Sequence, residues 1–257
     1  LLSIGMIATL TFIMMKVIPG DPFTDEKALP IEIHNSLRKH YGFEDPWHIQ
    51  YLRYLSSIMQ GDLGPSFRYQ DKTVNDIIKE GFPISAILGL EALFIAITCG
   101  IFFGALAALM KNKWQDSLSM IFATIGISVP SFILATLLQY ALALKLGLLP
   151  VARWGTFSQT ILPAISLAAM PTAFIARLLR TNMIEVLNQD YIKTAKAKGL
   201  PPYIIIMKHG LRNAFVPIIP YIGQLTANIL IGSFVIEKIF GIPGLGQWFI
   251  TSVVTRD

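Results

Sequence analysis

The chain has 257 residues, 53% hydrophobic and only 14% charged, with a mean hydropathy of +0.57 and a net charge of +5. A soluble domain of this size carries about 25% charged residues, and there is too little polar sequence here to wrap the long apolar segments in a soluble core. Cys99, the sole cysteine, lies in an apolar run, which excludes a disulfide framework and a thiolate metal site.

In chain order, the opening "LLSIGMIATLTFIMM" lacks a basic leading region and a small-residue cleavage site. It reads as a first span missing its leading residues, not as a cleaved signal. Further apolar stretches approach or exceed the roughly 20 residues a span needs. The candidates are residues 1–18, 82–110, 118–144, 161–176 (expected to extend at both ends) and 214–236.

Between the first two spans, residues 19–81 mix polar and aromatic side chains and read as a small cap of short helices. Within it Ile49, Leu52, Leu55, Ile58 and Met59 have a helical rhythm, stopped by Gly61. The cap's acids suit an external partner, and a plain lid over the spans fits equally well. His34, His40 and His48 also fall in the cap, but spacings of six and eight do not share a helical face, so no metal site is expected.

Glu91 is the one carboxylate well inside a span, and an intramembrane charge is a functional candidate by default. No Lys or His sits at matching depth, so a structural or path-lining role is expected over a proton relay. In the third span Gly126, Ser128, Pro130 and Ser131 are expected to bend the helix, as a gate or for tight packing.

Charge alternates between the connecting segments. Residues 111–116 and 177–212 carry nine Lys/Arg against three acids, whereas 19–81, 145–157 and 237–257 carry eleven basic and twelve acidic residues. The positive-inside rule puts the first set in the cytoplasm. The N-terminus is then inside and residue 257 outside, and a sixth span is expected beyond it. Topology thus accounts for the basic surplus without nucleic acid.

The most basic stretch of the second half is "DYIKTAKAKGLPPYIIIMKHGLRN", residues 190–213. Asn182 with Glu185 three residues later reads as a capping box. Met183, Leu187, Tyr191 and Ala195 then form one apolar stripe, with Gln189, Lys193 and Lys196 off it. Gly199 suits the left-handed position after a helix, and Pro201 and Pro202 prevent continuation. A second short helix is expected from Tyr203 to His209. An elbow of this kind fits a snorkelling membrane-surface helix or a rigid coupler that transmits a push from a soluble partner. On the coupler reading, small residues at Ala195, Ala197 and Gly199 admit a partner groove, and Glu185, Asp190 and Lys193 set its orientation. No nucleophile–base pair is present for catalysis.

"DYIKTAKAKGL" followed by "HGLRNAFVPII" resembles the EAA loop of binding-protein-dependent ABC importer permeases. Lys193-Thr194-Ala195 stands in the EAA place, Gly199 is the glycine, and His209 and Leu211 form the later element, with Arg212 where a proline is usual. "IPGDPF" (18–23), "QGDLGPSF" (60–67), "SVPSF" (128–132), "ILPAISLA" (161–168) and "FGIPGLGQWF" (240–249) extend the resemblance along nearly the whole chain, to the dipeptide/oligopeptide branch. It implies an all-α, type I (MetI-like) bundle of five spans, the sixth missing, divided into a first helix (1–18), an extracytoplasmic cap (19–81) and a transmembrane domain (82–257) with a coupling loop at 181–212.

The resemblance also implies a multi-pass place in a bacterial inner membrane and a heterodimer with a second permease. Two cytoplasmic ATPases and an external solute-binding protein complete the implied assembly. Its coupling residues would be Glu185, Asp190, Tyr191, Lys193, Ala195, Lys196, Ala197, Gly199, His209, Leu211 and Arg212, and its path or gate residues Glu91, Ser128, Pro130 and Ser131. ATP and Mg belong to the ATPases. The chain contains no Gly-Lys dipeptide, hence no phosphate loop of the GxxxxGK[ST] type, and "GIPGLG" at 241–246 fails the GxGxxG spacing. The peptide permease reading stands against a nickel or glutathione permease of the same branch, and against an ion-coupled carrier with Glu91 as coupler. A membrane enzyme lacks an acid/base or metal constellation.

Overall fold

The structure, a computed structural model, describes residues 2–17, 42, 44–66, 69 and 72–255, so His34, His40 and the 18–23 motif lie outside the described residues. It divides into two compact units, residues 1–80 with 248–257, and residues 81–247.

In the first unit α1 (Leu2–Val17) is an apolar helix and α2 (Trp47–Met59) follows the rhythm read from the sequence. The two meet through side chains. Tyr51 and Tyr54 pack on Phe12 with ring centroids 5.2 and 5.7 Å apart, and the Thr9 and Tyr51 hydroxyls lie 2.7 Å apart. The Lys16 ammonium donates to the Gln50 side chain. Gly61, at φ 74°, ends α2. Asn75 ties the following turn by donating to the Gly61 carbonyl at 2.5 Å and accepting from the Leu63 amide at 2.9 Å. Thr73 and Asp76 cap each other at the start of α3 (Val74–Leu109), each side chain accepting from the other's backbone amide.

The second unit is a helical bundle. From Gly81 onward α3 presents a stripe of buried small residues, among them Ser85, Gly89, Ala92, Ala96, Gly100 and Gly104. The stripe lets backbones approach as small-xxx-small helices do in membranes. A Cβ on Gly104 would meet the Ala176 carbonyl at 2.7 Å, and one on Gly100 would meet Ile175 at the same distance.

Beyond α3, α4 (Trp114–Ser128) and α5 (Ser131–Lys145) meet at a bend of 108°, at the position expected from Ser128 and Pro130. No backbone amide exists at Pro130 to continue the ladder. α6 (Phe157–Leu187) extends the fourth candidate span at both ends and opens with a capping box between Thr156 and Gln159. α7 (Asp190–Ala197) is short, and α8 (Pro202–Leu230) is separated from α9 (Phe234–Phe240) by a 51° bend. α10 (Leu245–Thr255) begins in this unit.

Among the described residues, α3 and α6 are each long and apolar enough to cross a membrane, and the α4–α5 and α8–α9 pairs qualify if each bent pair is one span. One core cluster gathers Ala92, Ala96, Ile175, Leu179, Met183 and Ala214, and another gathers Leu88, Leu162, Ile236 and Phe240.

Two local expectations are corrected. Asn182 is not a helix cap, because α6 runs unbroken past it to Leu187, and its side chain donates instead to the Ala214 carbonyl at 3.2 Å. The helix beginning near Tyr203 does not stop at His209. It passes through a π-helical turn, Ile205–Leu211, into the rest of α8.

Candidate functional site

The elbow is the junction of α6, α7 and α8. Residues 188–189 break the helix, and α7 restarts at Asp190. Its end is a Schellman closure. Gly199 takes φ +75°, its amide donates to the Lys196 carbonyl at 3.0 Å, and the Leu200 amide reaches back to the Ala195 carbonyl at 3.3 Å. A Cβ on Gly199 would meet nothing within 4 Å, so this glycine serves backbone conformation and not a close approach within the chain.

Ile192, Ala195 and Ile205, joined by Leu200, form a small core of the elbow's own. The elbow is fastened to the bundle at several points. Leu187 packs closely on Gly210, where an added Cβ would come within 3.2 Å. The Asn213 side chain donates to the Tyr191 hydroxyl and to the His209 carbonyl, each at 3.0 Å.

Around this core lies an exposed polar rim. Glu185, Asp190, Lys193, Lys196, Ala197, Gly199 and Arg212 are exposed, and Tyr191 is 42% exposed. Lys193 pairs with Asp190 at 2.8 Å, but both side chains are largely in solvent and such a pair stabilises the fold little. His209 and Leu211 are half-buried. The continuous stripe expected through Met183, Leu187, Tyr191 and Ala195 is not present, because the break at 188–189 resets the phase and turns Ile192 inward in place of Tyr191. Ala195 is buried in the elbow core, 6% exposed, and so is not open to a partner groove.

The path candidates lie elsewhere in the bundle. Ser128 and Pro130 are exposed at the 108° bend and Ser131 is half-buried beside them. Gly126, one turn earlier, lies close to the Ala169 carbonyl, where an added Cβ would sit at 3.0 Å. Next to it an apolar cavity of about 530 Å³ opens among Cys99, Ser119, Phe122, Ala169 and Thr172. Glu91 is half-buried on α3 and does not touch this cavity.

Sequence reasoning missed two polar constructions. Glu237 is fully buried, with one carboxyl oxygen accepting from the Ser85 hydroxyl at 2.8 Å and the other from the Gly246 amide at 2.7 Å. Ser85 in turn accepts from the Leu245 amide at 2.9 Å, so the first amides of α10 are capped by α9 and α3. Gly232, Gly244 and Gly246 form the cradle: a Cβ on any of them would lie within 2.7 Å of the Glu237 carboxyl group. The second construction is Asp116, gripped by Arg180 through two hydrogen bonds of 2.6 and 2.7 Å. A buried carboxyl just before a glycine-rich turn, and opposite charges at the ends of two spans, were the available signals for these sites.

The described residues thus form a bundle of broken and continuous apolar helices that carries a fastened, polar-rimmed elbow. The chain belongs to the binding-protein-dependent transport system inner membrane component family, whose model matches residues 100–257. It is 49% identical over 255 residues to the dipeptide transport system permease protein DppB of Bacillus subtilis (strain 168), covering 99% of this chain and 83% of that protein. It is 43% identical to the oligopeptide transport system permease protein OppB of Salmonella typhimurium, covering 99% and 84%. The dipeptide permease DppB of Lactococcus lactis is 41% identical, covering 100% and 84%. Among solved structures, an amino acid ABC transporter crystallised with histidines matches 71% of this chain and 81% of its own, with a TM-score of 0.54 at 18% identity, a likeness of fold.

Proposed function

We propose that this chain is the permease subunit of an ATP-driven importer of di- or oligopeptides. It forms half of the translocation path with a second, homologous permease and is driven through the elbow by cytoplasmic ATPases that carry ATP and Mg. An external solute-binding protein delivers the peptide. The charge alternation supports a cytoplasmic N-terminus, which puts the elbow and the ATPases on one side. Residues 19–81 form the outer cap and 82–257 the transporting domain.

The observation that carries the reading is the elbow itself. It has a core of its own, is fastened to the ends of α6 and α8, and points Asp190, Lys193, Lys196 and Ala197 away from the bundle. A helix lying on lipid would bury an apolar face in the bilayer, but the apolar face of α7 is already occupied by Ile205 and Leu200. The relatives' names favour peptides over nickel or glutathione.

The test is transport by the complex reconstituted with its ATPases and binding protein. Gly199→Pro or Asp190→Lys is expected to lower peptide uptake roughly tenfold, in the usual range of coupling energies, and to remove substrate stimulation of ATP turnover. Full stimulated turnover in both variants would sink the reading. Glu91→Gln is expected to retain uptake. Its loss with intact assembly would reverse that expectation, and uptake driven by an ion gradient without ATP would establish the carrier alternative.

A further inference from the structure

Helix α6 is held on two sides near its elbow end. Toward α8, Asn182 donates to the Ala214 carbonyl, and Leu179 and Met183 are fully buried in the cluster that includes Ala214 and Ile218. Toward α4, Arg180 spans Asp116 with a planar fork, Nε to Oδ1 at 2.6 Å and Nη2 to Oδ2 at 2.7 Å. One turn earlier Arg177 donates to the Thr124 hydroxyl at 3.2 Å. Asp116 is only 4% exposed, and it also accepts from the Asn112 amide at 3.0 Å, closing the tight turn in which Asn112 takes φ 64°.

The other end of α4 is held differently. There a single hydrogen bond, Arg177 to Thr124, stands beside a contact between small residues, Gly126 against the Ala169 carbonyl and Ala173. Small smooth surfaces slide and rotate at little cost, whereas a two-pronged guanidinium–carboxylate pair fixes both position and orientation. Of these holds, the two-pronged one nearest the elbow is therefore the one that most firmly sets where α4 stands relative to α6. α4 then leads directly into the 108° bend at residues 129–130.

We propose that the Asp116–Arg180 fork is a positioning joint for transport: it makes α4 travel with the elbow-bearing end of α6, so that a displacement of the elbow reaches the α4–α5 bend. The inference rests on the elbow reading above. On this proposal Asp116 and Arg180 work without contacting ATPase or peptide. They act through the helices they join. Breaking the fork leaves the elbow and its rim intact but lets α6 move without carrying α4.

The experiment uses the complex in proteoliposomes with ATPases and binding protein, with radiolabelled trialanine as probe. The readout is ATP hydrolysed per peptide taken up, measured alongside the thermal-unfolding midpoint. Asp116→Asn and Arg180→Gln are expected to raise the ratio at least about fivefold, the lower end of typical coupling, with ATPase still bound. Arg180→Lys, which keeps the charge and loses the fork, is expected to raise it as well. The exchange Asp116→Arg with Arg180→Asp is expected to bring it back to within about twofold of the parent.

A parent-like ratio in Asp116→Asn and Arg180→Lys overturns the proposal. So does a collapse of assembly in every single variant, Arg180→Lys included, since the pair is then a folding element only. Failure of the elbow reading shows separately: the parent chain, with a cysteine at Lys193, would then give no cross-link to ATPase.

Discussion

Two polar regions of the 81–247 unit solve the same problem in opposite ways. At the elbow, the end of α7 is satisfied by its own neighbours: Gly199 turns left-handed and the carbonyls of Ala195 and Lys196 find amides four or so residues on. At the start of α10, the amides of Leu245 and Gly246 are satisfied by Ser85, 160 residues away, and by Glu237. The local closure leaves Asp190, Lys193 and Lys196 exposed, held by no more than the solvent-exposed Asp190–Lys193 pair. The distant one consumes its carboxyl group completely. Surface charge that the fold does not need is available to a partner, while a buried carboxyl with both oxygens engaged is a fastener.

The sharpest way to break this contrast is at the fastener. Glu237→Leu would strand the Ser85 hydroxyl and the Gly246 amide in the interior, at about 1–3 kcal/mol each. The thermal-unfolding midpoint in detergent is expected to fall by roughly 6–12 °C, taking about 3 kcal/mol in total. An unchanged midpoint would mean the clasp is dispensable. Gly244→Ala comes next: its Cβ would lie 2.4 Å from the Ser85 oxygen, and overpacking of this kind costs about 1–3 kcal/mol.

Gly199→Ala is expected to cost about 1 kcal/mol, because an L side chain at φ +75° is strained even with open space around it. Gly199→Asn should recover much of that loss, and equal midpoints for Ala and Asn would remove the left-handed explanation. At the smallest end, Lys193→Ala should shift stability by no more than about 0.5 kcal/mol while still weakening ATPase capture. An effect on stability alone would mean that the rim belongs to the fold after all.

Much of the elbow was legible from residues 190–202 by themselves. Gly199 and the two prolines end a helix whatever surrounds them, since backbone sterics act over a few residues. The inward face of α7 was not legible. A single stripe through Met183, Leu187, Tyr191 and Ala195 assumed one unbroken helix, and the break at 188–189 shifts the phase so that Ile192 points inward. Asn182 looked like a helix start because a capping residue and a side chain that reaches across to another helix's carbonyl are chemically alike. Here the carbonyl of Ala214 claimed it. The bend at Ser128 and Pro130 was readable for the same local reason as Gly199.

The sequence by itself determined that the chain is a helical membrane protein, where most of its apolar stretches run, that one of them bends near Pro130, and that a polar elbow interrupts them. Those properties follow from hydrophobicity and from the backbone restrictions of proline and glycine, which need no distant partner. Only the tertiary structure decided that Glu237 is a fastener, that Ala195 faces inward, and that Arg180 grips Asp116. Each depends on which groups, tens of residues apart, are brought within about 3 Å of one another, the range in which hydrogen bonds form.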